Sequence, residues 1–154
     1  MSAFNDEFRR NFMSVIKRVS DRSDLVVQKV GMRLGQSLVL KSPVDTGRFR
    51  GNWQYGAGKI NTDTNGREDR SGSSSMGRIV EGLNSWRTGE MVYITNSLPY
   101  ARVIEYGLFG KPPGSANGPK TVGGYSRQAP AGMVRLTVTE FKTMFRESVG
   151  EAKK

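Results

Sequence analysis

Ser42-Pro43-Val44-Asp45-Thr46-Gly47-Arg48-Phe49-Arg50-Gly51-Asn52-Trp53-Gln54-Tyr55 decides how this chain folds, because the apolar pattern changes period within it. Before it, apolar residues recur every third or fourth position. Pro43 stops that pattern, since the residue preceding a proline avoids the α region. Pro43 to Gly47 then supplies residues that favour turns. From there Phe49, Gly51, Trp53 and Tyr55 alternate with Arg48, Arg50, Asn52 and Gln54. Period two predicts a strand with one apolar face and one polar face. Arg48 and Arg50 share the polar face, and Trp53 lies on the other.

Towards the N-terminus, Val26, Val30, Leu34 and Leu38 form an i, i+4 ladder, widened by Val27 and Met32, that predicts a helix ending near Lys41. Gly31 and Gly35 each cost this helix about 1 kcal/mol relative to Ala, which a close crossing by another element would explain. Ser20-Asp21-Arg22-Ser23-Asp24 is rich in cap-forming residues and predicts a break. A first helix, from about residue 3 to 19, carries Phe8, Phe12, Val15, Ile16 and Val19 at helical spacing, with Arg9, Arg10, Lys17 and Arg18 on other faces. Phe8 and Phe12 favour burial, so core packing is expected of it. The other reading is a basic amphipathic arm that docks on a partner.

Towards the C-terminus, residues 56–75 are polar, rich in Gly, Ser, Asn and Asp, and expected to be mobile, with room for one or two further strands. Met76, Ile79, Val80 and Leu83 predict a short helix reaching towards Trp86. Met91 to Asn96 is nearly continuous in apolar or β-forming residues, as in a central strand. Pro99 suits the first turn of a short helix that Gly107 ends. A second long loop, residues 107–129, has no acidic residue but holds Lys111, Lys120 and Arg127. Pro130 is placed to open a last helix whose apolar stripe is Met133, Leu136, Val138, Phe141, Phe145 and Val149, with Gly150, Lys153 and Lys154 at its end. The expected class is α+β: one domain over residues 1–154, a small antiparallel sheet flanked by N-terminal and C-terminal helices, and two long loops.

Composition narrows the function. The 24 Lys and Arg against 14 Asp and Glu leave a net charge of +10, which points to an acidic partner, whether nucleic acid, an anionic surface or a protein. With no Cys and no His there can be no disulfide, thiolate or imidazole metal site, Cys nucleophile or His-based triad. No phosphate-binding glycine loop, nucleophile elbow or calcium loop is present. A carboxylate-only hydrolytic site would have to use residues such as Asp45 or Glu105, which show no convergent spacing. Asp21 and Asp24 are expected to cap helices. No catalytic residue, cofactor or metal is expected. The first residues lack a basic region followed by an apolar run, and no segment approaches a membrane span, so neither a signal peptide nor a membrane association is expected.

Three segments carry a resemblance. Ser42 to Arg50 (SPVDTGRFR) resembles a block of small tailed-phage tail-component proteins, described as tail-completion, neck or head–tail joining proteins. Asn96 to Gly107 (NSLPYARVIEYG) resembles that family's second block. Gln128 to Met133 (QAPAGM), followed by a terminal helix, resembles its third. The blocks occur in order, and with the N-terminal helices they span most of the chain; the departures are the inserts near 56–75 and 108–128.

The resemblance implies a non-enzymatic virion protein with an α+β fold, made in the host cytoplasm. It implies a homo-oligomeric ring, hexameric by expectation, at the neck or head-proximal tail end, among neighbouring neck and tail proteins and with possible contact to DNA in the channel. The expected interface residues are Arg48, Arg50, Trp53, Tyr100, Arg102, Tyr106, Phe109, Lys111, Lys120 and Arg127. The alternative is a free basic nucleic-acid-binding protein. Against it, the aromatics of the Arg48–Tyr55 strand would point away from its arginines, unlike a base-stacking platform, and no helix–turn–helix or RNA-binding sheet signature appears.

Overall fold

The computed structural model describes residues 3–64, 66–110 and 116–154. Its first element, α1 (Ala3–Lys41), is one helix of 39 residues, about 58 Å long at 1.5 Å per residue. The break expected at Ser20–Asp24 is absent. Ser23 Oγ donates back to the Val19 carbonyl at 2.9 Å within the helix. Asp24 is buried and accepts from the Thr88 backbone N–H at 2.9 Å and from the Thr88 hydroxyl. These cap-forming side chains found other partners, so the helix ran on.

The expected core role of the first helix is also overturned. Every side chain from Asn5 to Ser23 is exposed, Phe8 to 63 %. Phe8 and Phe12 stack on each other, centroids 6.2 Å apart. Residues 5–23 form an arm projecting from the body.

The body is built on the second half of α1. Helix α3 (Ser73–Ser85) crosses it closely. A Cβ on Gly31 would lie 2.6 Å from Leu83 Cδ2, and one on Gly35 2.9 Å from Ile79 Cγ2, which accounts for both glycines. Leu38, Val39, Phe49, Trp53, Ile79, Leu83, Leu98, Ile104, Ala129 and Met133 form the buried cluster.

Residues 48–51 are a helical turn, α2 (Arg48–Gly51), and not the start of a strand. Gly51 N–H donates to the Gly47 carbonyl at 2.8 Å. Phe49 and Trp53 are four apart, which places them on one side under either period, so alternation could not separate the two. Their rings meet edge to face, with centroids 6.2 Å apart. Strand β1 (Trp53–Ala57) pairs antiparallel with β2 (Val92–Asn96), Trp53 opposite Asn96 and Ala57 opposite Val92. β2 is therefore half of a two-stranded sheet and not a central strand.

The described residues of 58–64 and 66–72 add no strand, and several of them are tied to the body. The Asn61 carbonyl accepts from Thr95 Oγ1 at 2.8 Å and Ser97 Oγ at 3.2 Å. Gln54 donates to the Asp63 carbonyl, and Asp69 N–H to that of Gly47 at 3.1 Å.

Helix α4 (Ala101–Tyr106) ends at Gly107, which has φ 64°. The second long loop contains a small hairpin, β3 (Thr121–Val122) with β4 (Tyr125–Ser126). Helix α5 (Val134–Ala152) begins four residues after Pro130, and not at it. It lies along α1, joined by Arg33 to Glu147 at 2.6 Å, Lys29 to Glu151 at 2.9 Å and Lys41 to Glu140 at 2.7 Å. These ion pairs and the Ser37–Thr137 hydroxyl contact at 3.0 Å orient α5 so that Val138, Phe141 and Phe145 stay exposed. Of the expected stripe, Met133 is fully buried. Among the described residues no helix is long and apolar enough to cross a membrane.

Candidate functional site

Where α1 ends, three distant segments meet. Ser42 Oγ donates to the Leu38 carbonyl at 2.7 Å and accepts the Trp53 indole N–H at 2.7 Å, which fixes the exit from the helix. Thr46 Oγ1 accepts the Arg48 N–H at 3.2 Å in the turn that follows. Gln128 clamps the same turn from the far side: Val44 N–H donates to Gln128 Oε1, and Gln128 Nε2 to the Val44 carbonyl, both at 2.8 Å. Between this turn, α4 and the β3–β4 hairpin lies an open cleft of about 670 Å³.

The cleft gathers five of the ten expected interface residues: Arg48, Tyr100, Phe109, Lys120 and Arg127. Tyr100 packs on Phe49 with centroids 6.1 Å apart. Lys120 pairs with Asp45 at 2.9 Å, but both are about three-quarters exposed, and so solvated a pair contributes little stability. Arg48 and Arg127 are exposed as well. The rim is thus basic and aromatic, able to take a carboxylate or phosphate by bidentate guanidinium contacts.

The other expected residues do different work. Trp53 is 3 % exposed and belongs to the core. Arg50 turns inward and caps the end of α1: its Nη2 donates to the carbonyls of Ser42 at 2.9 Å and Leu40 at 3.2 Å, and its Nη1 to that of Arg70 at 2.8 Å. Burial lowers the Arg50 pKa, and the nearby Asp69 charge opposes that shift. Because α2 is a helical turn, Arg48 and Arg50, two apart, point to different sides. Arg102 and Tyr106 lie on the outer side of α4, with Arg102 6.0 Å and Arg135 5.2 Å from the Tyr106 ring centre. Lys111 lies outside the described residues.

The carboxylates serve architecture. Glu105 Oε2 accepts the N–H groups of Met133 at 2.7 Å and Val134 at 2.9 Å, and Oε1 that of Arg135 at 3.0 Å. It thereby caps α5 from a different helix, where the helix dipole also favours a negative charge. Arg135 closes the arrangement from outside, its Nη2 donating to the Glu105 carbonyl at 2.7 Å and the Tyr125 hydroxyl at 3.1 Å. Burial pushes the Glu105 pKa up, but these hydrogen bonds outweigh it and hold the carboxyl below its ordinary value.

Asp69 does the same for α3. It accepts from the Gly72 and Ser75 N–H groups, each at 2.9 Å, and these bonds, with those from the Ser71 and Ser75 hydroxyls, overcome burial and lower its pKa. Among the described residues no group of three acidic side chains could hold a metal ion.

Sequence reasoning missed Asp69, although an Asp ahead of Ser71-Gly72-Ser73-Ser74-Ser75 and an apolar run is a helix-start signal. It also missed the fate of Glu105, for which no local signal exists, since the backbone it caps lies about 30 residues away. The exposed arm was the weaker of two readings.

Residues 6–107 match a family model described as "Bacteriophage HK97-gp10, putative tail-component". That span includes the arm, α1 to α4 and the first two sequence blocks; the hairpin, Gln128 and α5 lie beyond it. No curated protein and no solved structure matches the chain.

Proposed function

The chain belongs to the HK97-gp10-like family of bacteriophage tail components, and from that premise we propose that it is a ring subunit at the junction of phage head and tail. Membership makes it a structural tail component of the virion, in contact with other virion proteins; the family is not an enzyme family. The ring, its position and its interface residues are our reading, as is the treatment of residues 1–154 as one domain.

One observation carries that reading. Among the described residues, two separate exposed surfaces lie at opposite ends of one helix. At the N-terminal end is the amphipathic arm, exposed from Asn5 to Ser23. At the C-terminal end is the basic cleft of Arg48, Lys120 and Arg127. A subunit of a cyclic ring needs two different faces, one for each neighbour, or a face for a neighbour and another for the next ring. The net charge of +10 suits acidic neighbours on the cleft side.

The test is a phage carrying a nonsense mutation in this gene. The expected outcome is filled heads and tails that accumulate separately and join when the purified protein is added, with rings visible by negative-stain microscopy. Complete, infectious particles lacking this chain would overturn the proposal.

A further inference from the structure

A second apolar surface lies beside the arm. Between α1 and α5, floored by β2, runs an open groove of about 390 Å³. Val30 and Leu34 form its α1 side, Ile94 the floor, and Val138, Phe141 and Phe145 the α5 side. Phe141 and Phe145 stack on each other with centroids 6.0 Å apart and are each 45 % exposed. Nothing in the described residues of the chain covers them.

We infer that this groove receives the arm of a second copy of the same chain. The inference rests on the self-assembly part of the ring proposal and specifies the contact that would make it.

Length is the first reason. At 1.5 Å per residue the arm's apolar stripe from Phe8 to Val19 is roughly 16 Å long, and the α5 wall from Val134 to Phe145 is also roughly 16 Å. Shape is the second. At 100° per residue, Phe8, Phe12, Val15, Ile16 and Val19 fall within an arc of about 100°, the width of a helix stripe that packs into a two-helix groove. Area is the third. The exposed parts of these five residues amount to on the order of 500 Å², against roughly 800 Å² per partner in a standard stable interface. A subunit that gives one arm and receives another makes that contact twice.

The arm cannot fill its own groove. One wall of the groove is α1 itself, and α1 is continuous through residues 20–24, so the arm cannot fold back. Only another molecule's arm can reach, and every copy of the chain carries both halves of the contact. The contact joins different surfaces, so passed on from chain to chain it generates a ring where the rotation closes and a filament where it does not.

The chain contains no cysteine, which makes a crosslinking test clean. Full-length Phe8→Cys, Phe12→Cys and Ile16→Cys chains are each mixed with a larger, tagged Phe141→Cys chain and oxidised. At least one arm position should form the mixed disulfide, while Ser14→Cys, on the opposite side of the arm, should form none. A Phe8→Ser, Phe12→Ser double variant should lose the assembled species on size-exclusion chromatography with light scattering while the monomer keeps its native circular dichroism, since Phe8 and Phe12 are exposed in the single chain.

Absence of every arm-to-groove disulfide in folded chains, or equal yield from Ser14→Cys, would overturn the inference. So would assembly that persists in the double variant, or a monomer whose groove crosslinks only to another virion protein. The two readings fail separately. Arm-to-groove disulfides in an assembly that closes as a pair would uphold this contact and sink the ring; rings without those disulfides would do the reverse.

Discussion

Glu105 shows how one side chain can fix the relation between two helices. It sits in α4, is buried, and spends both oxygens on the first N–H groups of α5. Glu105→Ala should destabilise the fold by about 1–3 kcal/mol, because three backbone donors lose a charged acceptor in a buried place; urea unfolding would measure it. The sign of the pH dependence follows from the lowered pKa. A carboxyl held below its unfolded value contributes full stability above the ordinary Glu pKa of about 4.3 and loses it as pH falls through the lower native value. Asp69 is lowered in the same way. The unfolding midpoint should therefore be flat near neutrality and fall in acid, and the gap between the native chain and Glu105→Gln should narrow there. A gap that widened in acid would contradict the capping role.

At the scale of elements, α1 divides into a packed half and a bare half. The packed half depends on small residues. Gly31→Val would drive a side chain into Leu83, which is fully buried, and overpacking of this kind costs about 1–3 kcal/mol. Thermal unfolding should show a lower midpoint with the helix content retained. The bare half should behave oppositely. Truncating the chain before Ser23 removes no contact with the body among the described residues, so at concentrations where the chain is monomeric its stability should change by less than about 0.5 kcal/mol while helical circular dichroism falls. A large loss of stability on that deletion would mean that the arm folds onto its own body.

How much of these elements could be read in advance depended on range. The ladder from Val26 to Leu38, the strand at 92–96 and the glycine stop at Gly107 were all legible, because each is a local period or a local backbone requirement. The strand expected at Arg48 was misread because Phe49 and Trp53 satisfy two periods at once. The break expected at Ser20–Asp24 was misread because Asp24 is used by Thr88, 64 residues away.

For the whole molecule, the charge distribution separates stability from assembly. Lys120 and Arg127 line the cleft but are solvated. Reversing both, Lys120→Glu with Arg127→Glu, should leave the unfolding free energy of the monomer within about 0.5 kcal/mol of native. It should reduce the yield of joined particles in a reconstitution assay, and the native reaction should weaken as salt screens the pair of surfaces. Joining unchanged by the double reversal would remove the cleft from the interface.

The sequence alone determined the class: α+β, without thiol or imidazole chemistry, strongly basic, and similar in ordered blocks to phage tail components. Those properties are set by composition, by short periods and by turn residues, all of which act within a few positions. Tertiary structure alone decided which expected interface residues face outward. Arg48, Tyr100, Phe109, Lys120 and Arg127 come together in one cleft, while Arg50 and Trp53 are consumed inside. It also decided that Phe8 and Phe12 stay bare. A helical stripe specifies that it will be covered, but what covers it is fixed by the reach of the rest of the chain, and here the chain does not reach.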